Sequence, residues 1–296
     1  MTRAQRSDSW LYGAVLIGCV LHLWFWMAQH QSGSLGVNQI AAALTTILPY
    51  ALSCYLSVRI TAEYARGTEM RFGWIILAAT SVLGVARACT ETDVANLFAT
   101  DFVHTWMYGL WNQSIILAFN ALLVVALIAN WRALAPLRLG LGARPIDAAA
   151  MAGALALFAY ILLNRRYLFE FRPDGGVAFI LQQIALMLLL VGTALSVFVG
   201  RLVAQMGSAR FAVPFRWLFA FLMLRCTLVA LRIAAHRQRS AEAAYIVDMC
   251  WEVIPWLFLT FVASRSVLTT QVRQELAKFK TARTESAETM RIKNYG

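Results

Sequence analysis

Arg225 and Arg232 stand seven residues apart in one apolar stretch of this 296-residue chain, and Asp248 and Glu252 stand four apart in the next. Seven residues make about two helical turns and four about one, so on helices each pair shares a face. Charges inside apolar segments are costly, and they persist where they meet one another, a water-filled space or a ligand. Suppose the two stretches form an antiparallel hairpin, the first leaving near Ala235 and the second entering near Ala243. Arg232 then meets Asp248 at shallow depth, and Arg225 meets Glu252 deeper. Two ion pairs that fix helix register are one outcome. A polar pocket lined by the same charges, able to take a small solute, is the other.

Further candidates lie near the same predicted end of the chain's hairpins. The third-to-fourth connection carries Glu91, Asp93 and Asp101 beside Arg87 and His104. The expected ligand-binding set is therefore Arg225, Arg232, Asp248 and Glu252, joined by Arg87, Asp101 and His104. The connection from Asn164 to Arg172 mixes arginines with aromatics, the composition of a loop at a headgroup boundary or of a cap over a pocket for an anionic or amphiphilic ligand. Pro49 and Pro255 fall inside apolar stretches. Each must free a carbonyl and bend its helix, and Pro255 puts that bend three residues past Glu252.

Redox and metal chemistry find little to work with. Of four histidines only His22 lies inside a predicted span, which reads as an interior hydrogen-bonded side chain, and a matched axial pair for haem is missing. The five cysteines show no CxxC or CxxxC spacing, so neither a metal site nor a cofactor is predicted. No Walker loop, GxGxxG, HExxH or GxSxG occurs.

The elements that must position these residues follow from composition. Apolar residues make up 60% of the chain and charged residues 14%, against about a quarter charged in a soluble domain. The apolar residues come in runs long enough to cross a bilayer as helices, which takes about 20 residues. Spanning strands would need the alternating pattern of a closed barrel, and the runs do not alternate. The fold class is thus all-α: a polytopic integral membrane bundle of about eight helices. The predicted spans are Trp10–Ala28, Val37–Val58, Phe72–Cys89, Trp106–Asn130, Ile146–Leu163, Val177–Gly200, Val213–Ala235 and Ala243–Ala263.

Arginine and lysine placement sets the orientation. With the amino terminus inside, 18 basic residues fall on the inner side and 7 on the outer, with Arg225 within a span. Both termini are therefore expected in the cytoplasm, in the cell's inner (plasma) membrane. Trp74, Trp131 and Trp217 are expected at inner interfaces, and Trp24, Trp26, Trp106, Trp111, Trp251 and Trp256 toward outer ones. The net charge of +11 resides in loop edges and the tail, so the bilayer surface rather than nucleic acid is the expected partner.

Residues 1–264 read as the bundle and 265–296 as a polar helical tail. A shift of 143 residues aligns Ala51-Leu52-Ser53 with Ala194-Leu195-Ser196 and Phe72-x-Trp74 with Phe215-x-Trp217, a weak hint of two four-helix halves, about 1–143 and 144–264. In the tail, Leu268, Val272, Leu276 and Phe279 form a narrow apolar stripe. It would lie on the bundle or headgroups, or dock a partner protein.

Three function classes remain on this reading. The first is a non-enzymatic membrane protein that binds or moves a small anionic or amphiphilic solute through an outward-facing polar site. The second is a complex subunit or sensory input module acting through its C-terminal helix. The third is an intramembrane acid–base enzyme using Asp248, Glu252 or His104.

Overall fold

The computed structural model describes residues 3–32, 37–91, 106–134, 145–164, 176–205 and 213–270. Asp93, Asp101, His104, the 165–172 connection and the tail beyond Thr270, with Val272, Leu276 and Phe279, lie outside the described residues. The described residues form α1 (Arg3–Ser32), α2 (Val37–Ala62), α3 (Glu69–Glu91), α4 (Trp106–Leu134), α5 (Pro145–Leu163), α6 (Gly176–Gln205), α7 (Val213–Gln238) and α8 (Ala241–Trp251), one in each predicted segment. After a turn at Glu252 and Val253 the last segment resumes as helix over 254–270. Among the described residues there is no strand.

Among the described residues, five helical stretches are long and apolar enough to cross a membrane: Glu69–Cys89, Leu110–Ala133, Ile180–Val203, Val213–Gln238 and Ala241–Thr270. The apolar parts of α1 and α5, Tyr12–Ala28 and Met151–Leu163, are shorter. Hydroxyl side chains are buried within these helices because each can donate to a carbonyl one turn back. Ser53 donates to Pro49, Thr61 to Ser57, Ser81 to Leu77 and Thr193 to Leu189, all at 2.7–2.9 Å.

Consecutive helices pack side by side from α1 to α4, and α4 lies against both α3 and α6; α7 contacts α5, α6 and α8. An aromatic cluster joins them. Phe258 lies 5.4–5.9 Å, ring to ring, from Tyr50, Phe119 and Phe221, and Trp74 stacks on Phe261. Outward, α6 presents Ile180, Ile184, Met187, Val191 and Phe198, and α1 presents Leu16, Ile17, Val20, Leu21 and Trp24. A contiguous apolar exterior of this kind suits lipid rather than water. The tryptophans do not all form interfacial belts: Trp26, Trp74 and Trp256 are buried in the bundle. A ring that fills a gap between helices gains more buried area than one left at an interface.

Two local devices set the geometry of the last hairpin. The α7 C-terminus closes through Arg239, at φ 53, with Arg239 N–H donating to His236 and Ser240 N–H to Ala235. This is the pattern of a Schellman turn, with arginine where glycine is usual. Ser240 then caps α8, its Oγ accepting from Ala243 N–H at 3.2 Å. So short a link holds α7 and α8 antiparallel. Arg232 and Asp248 stand eight residues before and after Ser240, each about 12 Å along its helix from the turn.

The second device is the break after Trp251. Pro255 has no N–H to give the Trp251 carbonyl, and Glu252 and Val253 donate instead to Met249 and Cys250, three residues back. The helix tightens there for one turn and turns Glu252 away from a regular path.

Candidate functional site

Arg225 is 4% exposed, halfway along α7. Its guanidinium carbon sits 5.4 Å from the ring centres of Phe119 and Phe221, within cation–π range. Its Nη1 donates to Asn120 Oδ1 at 2.8 Å, and Asn120 Nδ2 donates to the Ala185 carbonyl at 2.9 Å. One charge-assisted bond and one amide bond thus tie α7 through α4 to α6.

Two turns on, Arg232 is 48% exposed and its Nη2 lies 3.6 Å from Asp248 Oδ1, itself 45% exposed. This is the shallow pair anticipated from spacing. At that exposure it contributes modestly to stability and marks the mouth of a cavity. The deeper pairing differs from expectation. Arg225 reaches Asn120, while Glu252 Oε2 lies 2.8 Å from His22 Nε2 on α1. The turn before Pro255 aims Glu252 toward α1. His22 is 0% exposed, and its Nδ1 is 2.8 Å from Thr45 Oγ1 on α2.

Helix α1 reaches this position because Gly18 lets it settle on the Trp256 ring. A Cβ at Gly18 would stand 2.3 Å from Trp256 ring carbons. One turn beyond Gly18, His22 meets the broken span.

Between these groups lies a cavity of about 430 Å³. Its charged wall is Arg87 of α3, Arg225 and Arg232 of α7, Asp248 of α8 and Glu252 in the turn. Three guanidiniums thus face two carboxylates. Arg87 also lies 6.0 Å from the Trp251 ring. Asn112, Gln113 and Asn120 of α4 and Gln182 of α6 add amides, and Ile116, Leu186, Leu189 and Val229 an apolar side. Gln113 Oε1, Gln182 Oε1 and Trp251 Nε1 are buried with no hydrogen-bond partner among the described residues. Unpaired polar atoms of this kind are costly within a wall. A smaller cavity of about 70 Å³ shares Arg87, Trp251 and Glu252 as a common wall, with Thr46 and Tyr50 beyond.

Five of the seven expected site residues, Arg87, Arg225, Arg232, Asp248 and Glu252, therefore line one space. Asp101 and His104 lie outside the described residues. The amide wall and the His22 contact do not follow from the spacing of charges; glutamine and asparagine inside apolar runs are a weaker sequence signal for the amides. All five cysteines are free, and no three His, Cys, Asp or Glu side chains among the described residues converge as a metal site would require. The chain matches no protein-family model, no curated protein and no solved structure.

Proposed function

We propose that the chain is an eight-span inner-membrane protein, both termini cytoplasmic, that binds a small organic anion in the cavity between α3, α4, α6, α7 and α8. The observation carrying this reading is the wall itself: more guanidiniums than carboxylates, amide side chains beside them, and an apolar side. Guanidinium forks recognise carboxylate, sulfonate or phosphate ester heads, and Ile116, Leu186, Leu189 and Val229 suit a short hydrocarbon tail. On the predicted orientation the cavity opens outward, since it lies among the ends of α3 and α7 and the beginnings of α4, α6 and α8.

Binding alone leaves two uses for the site. The turn at Glu252–Val253 interrupts a span at the cavity, as in proteins that move solutes past a broken helix. The same span continues to Thr270, a direct mechanical route from the cavity to the tail for a sensory module. Calorimetry on the purified chain in nanodiscs, with hexanoate, hexanesulfonate and hexyl phosphate as probes, tests the shared premise. At least one probe should bind, and Arg225→Gln should weaken it by about tenfold or more. If none of the three binds, the reading falls. Uptake of the bound probe into vesicles identifies transport, and binding without uptake favours the sensor.

A further inference from the structure

We infer that His22 and Glu252 form a proton-binding site, holding one proton between Nε2 and Oε2, and that this proton is coupled to the anion in the cavity. The hydrogen bonds define the proton count. Thr45 Oγ1 lies 2.8 Å from the Ala41 carbonyl, to which it donates its hydroxyl hydrogen. Toward His22 it therefore accepts, and Nδ1 carries a hydrogen. A 2.8 Å contact between Nε2 and Oε2 then requires one hydrogen between them. Whether it rests on the imidazole or on the carboxyl, the pair is neutral as a whole. Removing it leaves a carboxylate facing a lone pair.

The proton has a path on one side. Glu252 lines both cavities and is 24% exposed, while His22 is sealed. Exchange therefore passes through the Glu252 carboxyl. The titratable and charged groups around the pair are Tyr50 of α2, Arg87 of α3, Arg225 and Arg232 of α7 and Asp248 of α8. Helices α4 and α6 contribute amides, and Cys19 of α1 packs by Trp256. With the proton in place, the cavity and pair together carry two positive charges in excess. Without it they carry one. An anion is therefore held more tightly by the protonated site, and by reciprocity the bound anion strengthens the pair's hold on its proton. Bound solute and proton then occupy the site together. This coupling rests on the anion-binding reading above; the proton site does not.

The two are tested separately on the full chain in nanodiscs. With ¹⁵N-labelled histidine, four side chains give signals and His22→Gln identifies the one at issue. The His22 Nδ1 should stay protonated throughout, while Nε2 loses its hydrogen in a single step that Glu252→Gln displaces or abolishes. Hexanoate should move the step to higher pH. Between the step of the free site and its position with hexanoate bound, affinity should fall about tenfold per pH unit, with one proton taken up per hexanoate there in calorimetry across buffers of different ionisation enthalpy. A His22 that keeps one protonation state throughout, or that titrates unchanged in the Glu252→Gln variant, overturns the proton site. Hexanoate binding with neither displacement nor proton uptake overturns the coupling and leaves anion binding standing. Failure of hexanoate, hexanesulfonate and hexyl phosphate alike removes the anion reading and the coupling with it, and the His22 titration still decides the proton site.

Discussion

Glu252→Gln keeps the size of the side chain and removes its charge, and so isolates what the His22 contact contributes. The pair is neutral as a whole, so what is lost is a buried hydrogen-bond partner, which typically costs about 1–3 kcal/mol. Glu252→Gln and His22→Gln should each lower the thermal midpoint of the bundle, while the double variant should lose clearly less than the sum. Additive losses in denaturation measurements on all four forms would show that the 2.8 Å contact carries no coupling energy. The charges that matter here were legible in the sequence, because an arginine or a carboxylate in an apolar run stands out by cost alone. Their partners were legible only when close in the chain. Arg232 and Asp248 flank one tight turn, so depth alone pairs them. His22 and Glu252 lie 230 residues apart, and depth arguments do not say which helix faces which. Asn120 was missed for another reason: an uncharged amide carries too little cost to attract notice, yet it takes the Arg225 guanidinium.

At the scale of elements, the site depends on close approach of α1 to the broken last span. Gly18→Ala should be disproportionately damaging, because its Cβ would meet the buried Trp256 ring at 2.3 Å. Overpacking of this kind typically costs about 1–3 kcal/mol, and a displaced α1 would take His22 away from Glu252. Gly13→Ala, on the same helix with open space at its Cβ, is the control. It should be neutral or stabilise by up to about 1 kcal/mol through helix propensity. Equal effects of the two changes on the unfolding midpoint would show that α1 does not pack on Trp256. The helices themselves, and the break beside Glu252, followed from run length and from Pro255. The α7–α8 turn did not, since Arg239 occupies a left-handed position that sequence reasoning reserves for glycine or asparagine. Burial of Trp26, Trp74 and Trp256 was likewise hidden, because a tryptophan near a span end fits an interface and a core gap equally well until the neighbouring helices are known.

For the whole molecule, the number of crossings between Thr68 and Gln238 turns on α5. Its apolar part, Met151–Leu163, is short for a bilayer core, while α3, α4, α6 and α7 meet the length and hydropathy of spanning helices. The full helix has 19 residues, about 28 Å at 1.5 Å per residue, which matches a core of about 30 Å. Its C-terminal part packs on its neighbours, with Ile161 buried beside Leu186 of α6 and Ala230 and Ile233 of α7 and Leu157, Phe158 and Tyr160 against the same cluster. A helix lying flat at the headgroups would show a sharp polar face, whereas between Ala148 and Leu163 this one has no charged residue at all. Among the described residues five helices, α3 to α7, separate Thr68 from Gln238, and both residues are exposed. If all five cross, the two positions lie on opposite sides of the membrane. In a background with the five native cysteines replaced, Gln238→Cys should react with a membrane-impermeant maleimide in intact cells, and Thr68→Cys should react only after lysis. Equal labelling of both would mean that one of the five does not cross, with α5 the foremost candidate. Labelling of Thr68→Cys alone would keep the count and invert the orientation, turning the mouth at Arg232 and Asp248 toward the cytoplasm.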